Sequence, residues 1–330
     1  MPALSLEARW HLECNAQGIM NTVYFGSSEF GIPSLEMLHK EHKLLAVVTN
    51  PDKPKGRNLR LGSTPIKKWA DLHKVPAFQP HTLTDPSFQA ALKDLHADFF
   101  VLISYGHILP AEILTMTRLG CLNVHPSLLP CYRGAAPIEW TLLHGETVSG
   151  ITIILMNPRI DAGAILMQKD IPVSLSDNFF SLSEKLMALS PKLLKEAIIR
   201  RAKGEKGIPQ KGIPSHARKV LSEDGRIWWG RSATEIHNKI RGLVKKPGAF
   251  TIIASKKGSK IFKIKSAMIE NSHGSFGEPG NMQITKKELF VFCGKGILKL
   301  LRVQLEGKKE LDVKDFIAGN KTLLEQAILK

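Results

Sequence analysis

This chain of 330 residues has no run of 18 or more apolar residues, and so lacks a segment that could cross a membrane as a helix. Cysteine is scarce too. Cys14, Cys121, Cys131 and Cys293 lie far apart and form no Cys-x-x-Cys pair, which argues against a zinc knuckle or a disulfide framework and fits a reducing compartment. Residues 1–19 lack the basic-then-apolar layout of a secretory signal, so the expected location is the cytoplasm. Acidic residues are also short: 30 Asp and Glu face 46 Lys and Arg, a net charge of +16. The shortage is local. Residues 1–200 hold 19 basic against 18 acidic side chains, and residues 201–330 hold 27 against 12. So basic a segment attracts polyanions, with an affinity that salt weakens as counterions are released. A merely solubilising surface is the plainer reading of the same charge. No strongly amphipathic basic helix occurs there, so a membrane partner is not expected.

What is present reads as a globular chain, 43% hydrophobic and 23% charged, long enough for two domains. The first half alternates short apolar runs with helical stretches, the pattern of a parallel α/β sheet. Strands are expected over 22–25, 44–49, 98–104, 121–124, 151–156 and 164–173. Helices are expected from Glu29 to Leu38, capped by Ser27 or Ser28, and over 182–202. A long polar loop, PDKPKGRNLRLGSTP, follows the second strand. If the first strand begins at Thr22, residues 1–19 form an extension, either a disordered tail or sequence ahead of a start at Met20. From Lys203 to Asp224 the chain is rich in Gly, Pro and Lys with no apolar period, as in a linker. Beyond it come a helical segment over 233–244 and short strand-like pieces over 250–254, 261–267, 289–293 and 297–303, the spacing of a small β-barrel or sandwich.

The densest cluster of chemically useful residues is NVHPSLLPCYRGAAP, residues 123–137. Asn123 and His125 are two apart at a strand end, so their side chains leave on one face, at the edge where parallel sheets place their ligands. An amide donor and an imidazole there suit a reaction that builds negative charge on oxygen. By themselves, the residues leave a second reading open: a turn asparagine, a packed histidine and, at Asp161, a turn aspartate before Gly163.

The whole pattern, NVHPSLLPCYRGAAPIEW followed by GITIILMNPRIDAGAIL, resembles the folate-dependent formyltransferases, in which an Asn-x-His pair, a Ser-Leu-Leu-Pro loop with Arg-Gly, and a downstream Asp-x-Gly form one signature. NTVYFGSSEFGIPSLEML, VVTNPDKPKGR with STPIKKWA, and EDGRIWWGRSATEIHNKIRGL extend the resemblance over about residues 20–330, toward the branch that acts on methionyl-tRNA. Two departures stand out. Cys131 occupies a position where a basic residue is common, and Asn157-Pro158-Arg159-Ile160 replaces an acidic-Gly-Leu approach to Asp161, placing a charge near it.

The resemblance implies a Rossmann-like, mostly parallel α/β catalytic domain over residues 20–203, a linker over 204–224, and a basic OB-like β-barrel over 225–330 that binds tRNA. It implies that 10-formyltetrahydrofolate, as co-substrate and without a metal, gives its formyl group to the α-amine of initiator methionyl-tRNA in translation initiation. Asn123, His125 and Asp161 would be catalytic. Ser127, Leu128, Leu129 and Pro130 would line the folate site, with Leu129–Pro130 a candidate cis peptide. Arg57, with Lys53, Lys55 and Arg60, would contact tRNA. Transfer to a glycinamide ribonucleotide or an amino-sugar nucleotide needs no such basic second domain. Release of formate to water belongs to longer chains, and a non-catalytic RNA-binding role leaves the Asn/His/Asp set unused. No exposed helical stripe argues for a dimer, so a monomer is the default expectation.

Overall fold

The computed structural model describes residues 18–55, 60–255, 258–324 and 327–330. The expected extension over residues 1–19 lies outside the described residues except for Gly18 and Ile19. The chain divides into two compact units. The first takes the residues up to Ala135, Ser149–Ile171 and Ser183–His216; the second takes Ala136–Val148, Pro172–Leu182 and Ala217–Lys330. The second therefore includes two stretches that interrupt the first in sequence.

The first unit is framed by a seven-stranded sheet in the order Ala164–Pro172, Val148–Leu155, Cys121–His125, Phe99–Ile103, Asn21–Gly26, Lys43–Val48, Ala77–Phe78. Pairing is parallel from Cys121–His125 through to Ala77–Phe78 and antiparallel between Cys121–His125 and Val148–Leu155. Phe99–Ile103 is buried at every position, which is why it reads as an unbroken apolar run: helices cover both faces of a parallel sheet. One face is packed by Val23, Phe25, Val48, Phe88, Leu92 and Phe100. The expected first helix begins as a 3-10 turn, Glu29–Gly31, with Ser28 Oγ accepting from Phe30 N–H at 3.3 Å, and continues as Ile32–Glu41. Helices Pro65–His73 and Pro86–Asp94 lie where apolar period marks none; each starts with a capping side chain, Thr64 and Asp85, and a proline in its first turn. The polar loop after the second strand is a hairpin in its described part: Lys53–Lys55 pairs antiparallel with Arg60–Gly62.

The second unit is an antiparallel sheet that curls into a nearly closed barrel. Its longest strand, Gly258–Asn271, extends well beyond the expected 261–267 and pairs with Ile297–Leu305 through three register shifts. Such irregularities bend a strand and increase its twist, as closure requires. The interior is filled by Phe262, Ile264, Val291, Leu298, Leu300 and Val303, with Trp229, Ile236 and Ile240 against them. Helix Ala233–Gly242 opens on a reciprocal cap between Ser232 and Glu235.

Candidate active site

The strand Cys121–His125 lies inside the first sheet, pairing with Phe99–Ile103 on one side and Val148–Leu155 on the other. Asn123 stands opposite Leu102 and Ile154, and His125 opposite Thr152. Alternation sends the two polar side chains to one face, and both are nearly buried, 6% and 4% exposed. Asp161 comes from the turn between Val148–Leu155 and Ala164–Pro172. Its backbone is left-handed, with φ at +47°, a conformation Asp tolerates better than most residues. The turn is pressed against its own strand: a Cβ on Gly163 would stand 2.0 Å from the Leu155 carbonyl oxygen, so only glycine fits.

The three side chains meet. Asn123 Nδ2 donates to Asp161 Oδ1 at 3.0 Å, and His125 Nδ1 lies 3.6 Å from Asp161 Oδ2. The same Oδ2 accepts Gly134 N–H at 2.8 Å. His125 Nε2 donates to the Tyr132 carbonyl at 2.8 Å, which commits that nitrogen as the protonated one and leaves Nδ1 facing the carboxyl group. Asn123 spends one amide hydrogen on Asp161 and keeps a second to offer a substrate oxygen. The arrangement holds an acceptor, an imidazole and an amide donor within one hydrogen-bonded cluster, the set needed to move a proton and to hold charge on an oxygen.

The Ser127–Pro130 loop leaves directly from His125. Ser127 Oγ donates to the Cys131 carbonyl at 2.7 Å, and the Leu129–Pro130 peptide is cis, as the sequence suggested. Thr152 Oγ1 donates to the Ser127 carbonyl at 2.6 Å and accepts from Leu129 N–H at 3.1 Å; Gln168 Nε2 reaches the Leu129 carbonyl at 2.9 Å. Cys131 is exposed. Arg159, with Arg133, Asn157, Ala162 and Gln210, lines an open cavity of about 330 Å3 beside the Asp161 turn.

Gln210, inside the stretch read as a linker, is the residue that sequence reasoning missed. Its Nε2 donates to the carbonyls of Asp161 and Gly163 at 2.8 and 2.9 Å, and its Oε1 accepts from Arg133 Nε and Nη2 at 3.1 and 2.6 Å. Nearby, Ser215 Oγ accepts Tyr132 N–H at 2.9 Å. Nothing in a Gly-, Pro- and Lys-rich composition announces such contacts. Lys53 is exposed on its hairpin strand; Lys55 and Arg60 pair through their backbones; Arg57 lies outside the described residues. Among the described residues, no group of three or more His, Cys, Asp or Glu side chains is placed to hold a metal ion.

Known proteins resemble this chain along most of its length. A family pattern described as formyl transferase matches residues 20–198, and one described as formyl transferase, C-terminal domain, matches residues 219–321. A methionyl-tRNA formyltransferase of Thermodesulfovibrio yellowstonii is 40% identical over 301 residues, 91% of this chain and 96% of that protein. One of Syntrophus aciditrophicus is 40% identical over 306 residues, 92% of this chain and 96% of that protein. Among solved structures, WlaRD, a sugar 3N-formyl transferase determined in the presence of dTDP and 5-N-formyl-THF, shares the fold with a TM-score of 0.64 at 19% identity, over 88% of this chain and 99% of that one. With both domains matched in order and two-fifths of its residues shared with full-length relatives, the chain belongs to the formyl transferase family of enzymes.

Proposed function

We propose that this enzyme transfers the formyl group of 10-formyltetrahydrofolate to the α-amine of initiator methionyl-tRNA, in the cytoplasm, with Asn123, His125 and Asp161 at the reacting centre. The observation that carries the reading is the meeting of these three side chains at the end of a buried strand, in a chain whose relatives over nine-tenths of its length are named for this activity. The attacking amine must be neutral, and a free α-amine has a pKa of about 7.7–8.0, so much of it carries an extra proton at neutral pH. The Asp161 carboxylate takes that proton. The amine nitrogen bonds to the formyl carbon, and the uncommitted Asn123 amide hydrogen holds the oxygen that becomes negative. Asp161, its first proton released to solvent, takes the second proton that the nitrogen sheds after attack and passes it to His125 Nδ1, 3.6 Å away. His125 delivers it to folate N10 as the carbon–N10 bond breaks; counted from the neutral amine, one proton leaves the nitrogen and one reaches the leaving group. Ser127, Leu128, Leu129 and Pro130 line the folate site. Lys53, Lys55, Arg57 and Arg60 hold acceptor-end phosphates. The excess of basic residues beyond residue 200 supports a large polyanionic substrate over a small nucleotide.

The test is formyl transfer from 10-formyltetrahydrofolate, compared among charged initiator tRNA, small amines and water. Efficient transfer to methionyl-tRNA is expected. Formate release alone, or transfer to small amines with none to the tRNA, would refute the reading.

A further inference from the structure

Besides the bonds that Asn157 makes within its own turn, Asp161 is held by a side chain almost fifty residues away in sequence. We propose that Gln210 is a positioning residue for Asp161, acting through its two amide hydrogens on the Asp161 and Gly163 carbonyls and not through its bond to Arg133. The inference rests on the proposed role of Asp161 for its kinetic consequence, though not for its structural one.

The geometry separates the two halves of Gln210. The amide nitrogen donates to two carbonyls that flank Ala162, 2.8 and 2.9 Å away, so it bridges the turn that carries Asp161 in its left-handed conformation. A non-glycine residue held there is strained and persists only where neighbouring contacts impose it. The amide oxygen faces the other way and accepts both Arg133 donors, which leaves the amide plane no freedom to flip: reversed, its oxygen would face two carbonyl oxygens and its hydrogens a guanidinium. Arg133 thus orients Gln210, and Gln210 fixes the turn. The carboxyl end of the same Asp161 is read by Gly134 N–H at 2.8 Å, Asn123 at 3.0 Å and His125 at 3.6 Å. A shift of the turn by about 1 Å would break this set, and a misplacement of that size costs up to roughly 10²-fold in rate.

Two substitutions tell the halves apart in the full-length protein. Gln210→Ala removes both sets of bonds. Gln210→Glu keeps the acceptor for Arg133, with added charge, but replaces the two donors with oxygen facing carbonyls. Amide hydrogen exchange at Gly134, followed by NMR, reports whether the Asp161 carboxyl group is still in place without any assay of activity. Loss of Gly134 protection in both variants, by roughly tenfold or more, is expected, together with a fall in kcat of roughly 10- to 100-fold, little change in the folate KM, an altered pH–rate profile and an unfolding midpoint close to that of the unmodified protein. Wild-type Gly134 protection and kcat in Gln210→Glu would overturn the proposal and assign the role to the Arg133 bond. Should the alanine variant fail to fold, the glutamate variant carries the test alone. If Gly134 protection is lost while both Gln210→Glu and Asp161→Ala transfer formyl groups at the normal rate, the positioning stands and the proposed chemistry of Asp161 falls.

Discussion

Tyr24 and Gly31 form a pair whose energetics can be worked from the structure. Tyr24 is fully buried in the first strand, and its hydroxyl has no hydrogen-bond partner among the described residues. Burial drives its pKa far above the ordinary value, so it stays neutral. The space its Oη fills exists because position 31 lacks a side chain: a Cβ on Gly31 would stand 1.7 Å from that oxygen. The Gly31 backbone, at φ −85° and ψ −9°, is one alanine adopts without strain, so Gly31→Ala tests packing alone. In the unmodified protein that substitution forces the ring or the helix start to move, an overpacking cost of about 1–3 kcal/mol. Tyr24→Phe removes a buried hydroxyl whose desolvation costs about 1–3 kcal/mol, which offsets the dispersion attraction that one oxygen supplies, and is expected to be neutral or stabilising. In the double variant, the next atoms to meet the new methyl are the ring Cζ at 3.0 Å and Ile103 Cβ at 3.3 Å, close enough that they must give by a few tenths of an ångström but far looser than the 1.7 Å approach of Oη. Gly31→Ala should therefore cost at least about 1 kcal/mol less in the Tyr24→Phe background than alone. The assay is denaturant unfolding of the four proteins followed by a probe in the first unit, because two units need not melt together. Additivity within about 0.5 kcal/mol would refute the close approach of Oη to position 31.

Asn123→Ala and Asp161→Ala are each expected to lower kcat by roughly 10²-fold or more at saturating substrates, and near-normal turnover in both would remove them from the chemistry. Arg57→Ala should weaken use of methionyl-tRNA while leaving folate binding intact; a loss of folate affinity measured by titration would contradict the tRNA role. Asp224 takes the Arg218 guanidinium in a forked pair at 2.6 and 2.8 Å and Leu221 N–H at 2.7 Å, and Arg218 first, then that backbone bond, hold its pKa below the ordinary carboxylate value. The folded protein thus binds this proton less readily than the unfolded chain, so the contribution is present above about pH 4 and fades as pH falls through the lower folded value. The melting temperature of Asp224→Asn should lie below that of the unmodified protein at neutral pH, with a gap that narrows in acid; a gap that stays constant with pH would count against the pair.

Much of the frame was legible because it rests on local or periodic signals. The buried run at Phe99–Ile103, the strand ending at His125 and the helix Ala233–Gly242 each show their burial pattern in consecutive residues. Pro65–His73 and Pro86–Asp94 escaped because each is short and buries only two or three residues, so apolar period says little. The hairpin at Lys53–Lys55 and Arg60–Gly62 escaped because its strands are three residues each, too short to alternate visibly.

The sequence by itself determined the chemical inventory and its order: Asn123 and His125 on one face of a strand, a proline-rich loop after them, an Asp-x-Gly turn downstream, and the positive charge gathered beyond residue 200. Only the tertiary structure decided which groups meet. The bonds that set Asp161 run to Asn123, Gly134 and Gln210, 38, 27 and 49 residues away, and the bridge from Thr152 to the Ser127–Pro130 loop spans 25. A hydrogen bond needs two groups within about 3 Å and suitably aligned, and across such separations that depends on the path of the whole chain, which no local pattern of residues encodes.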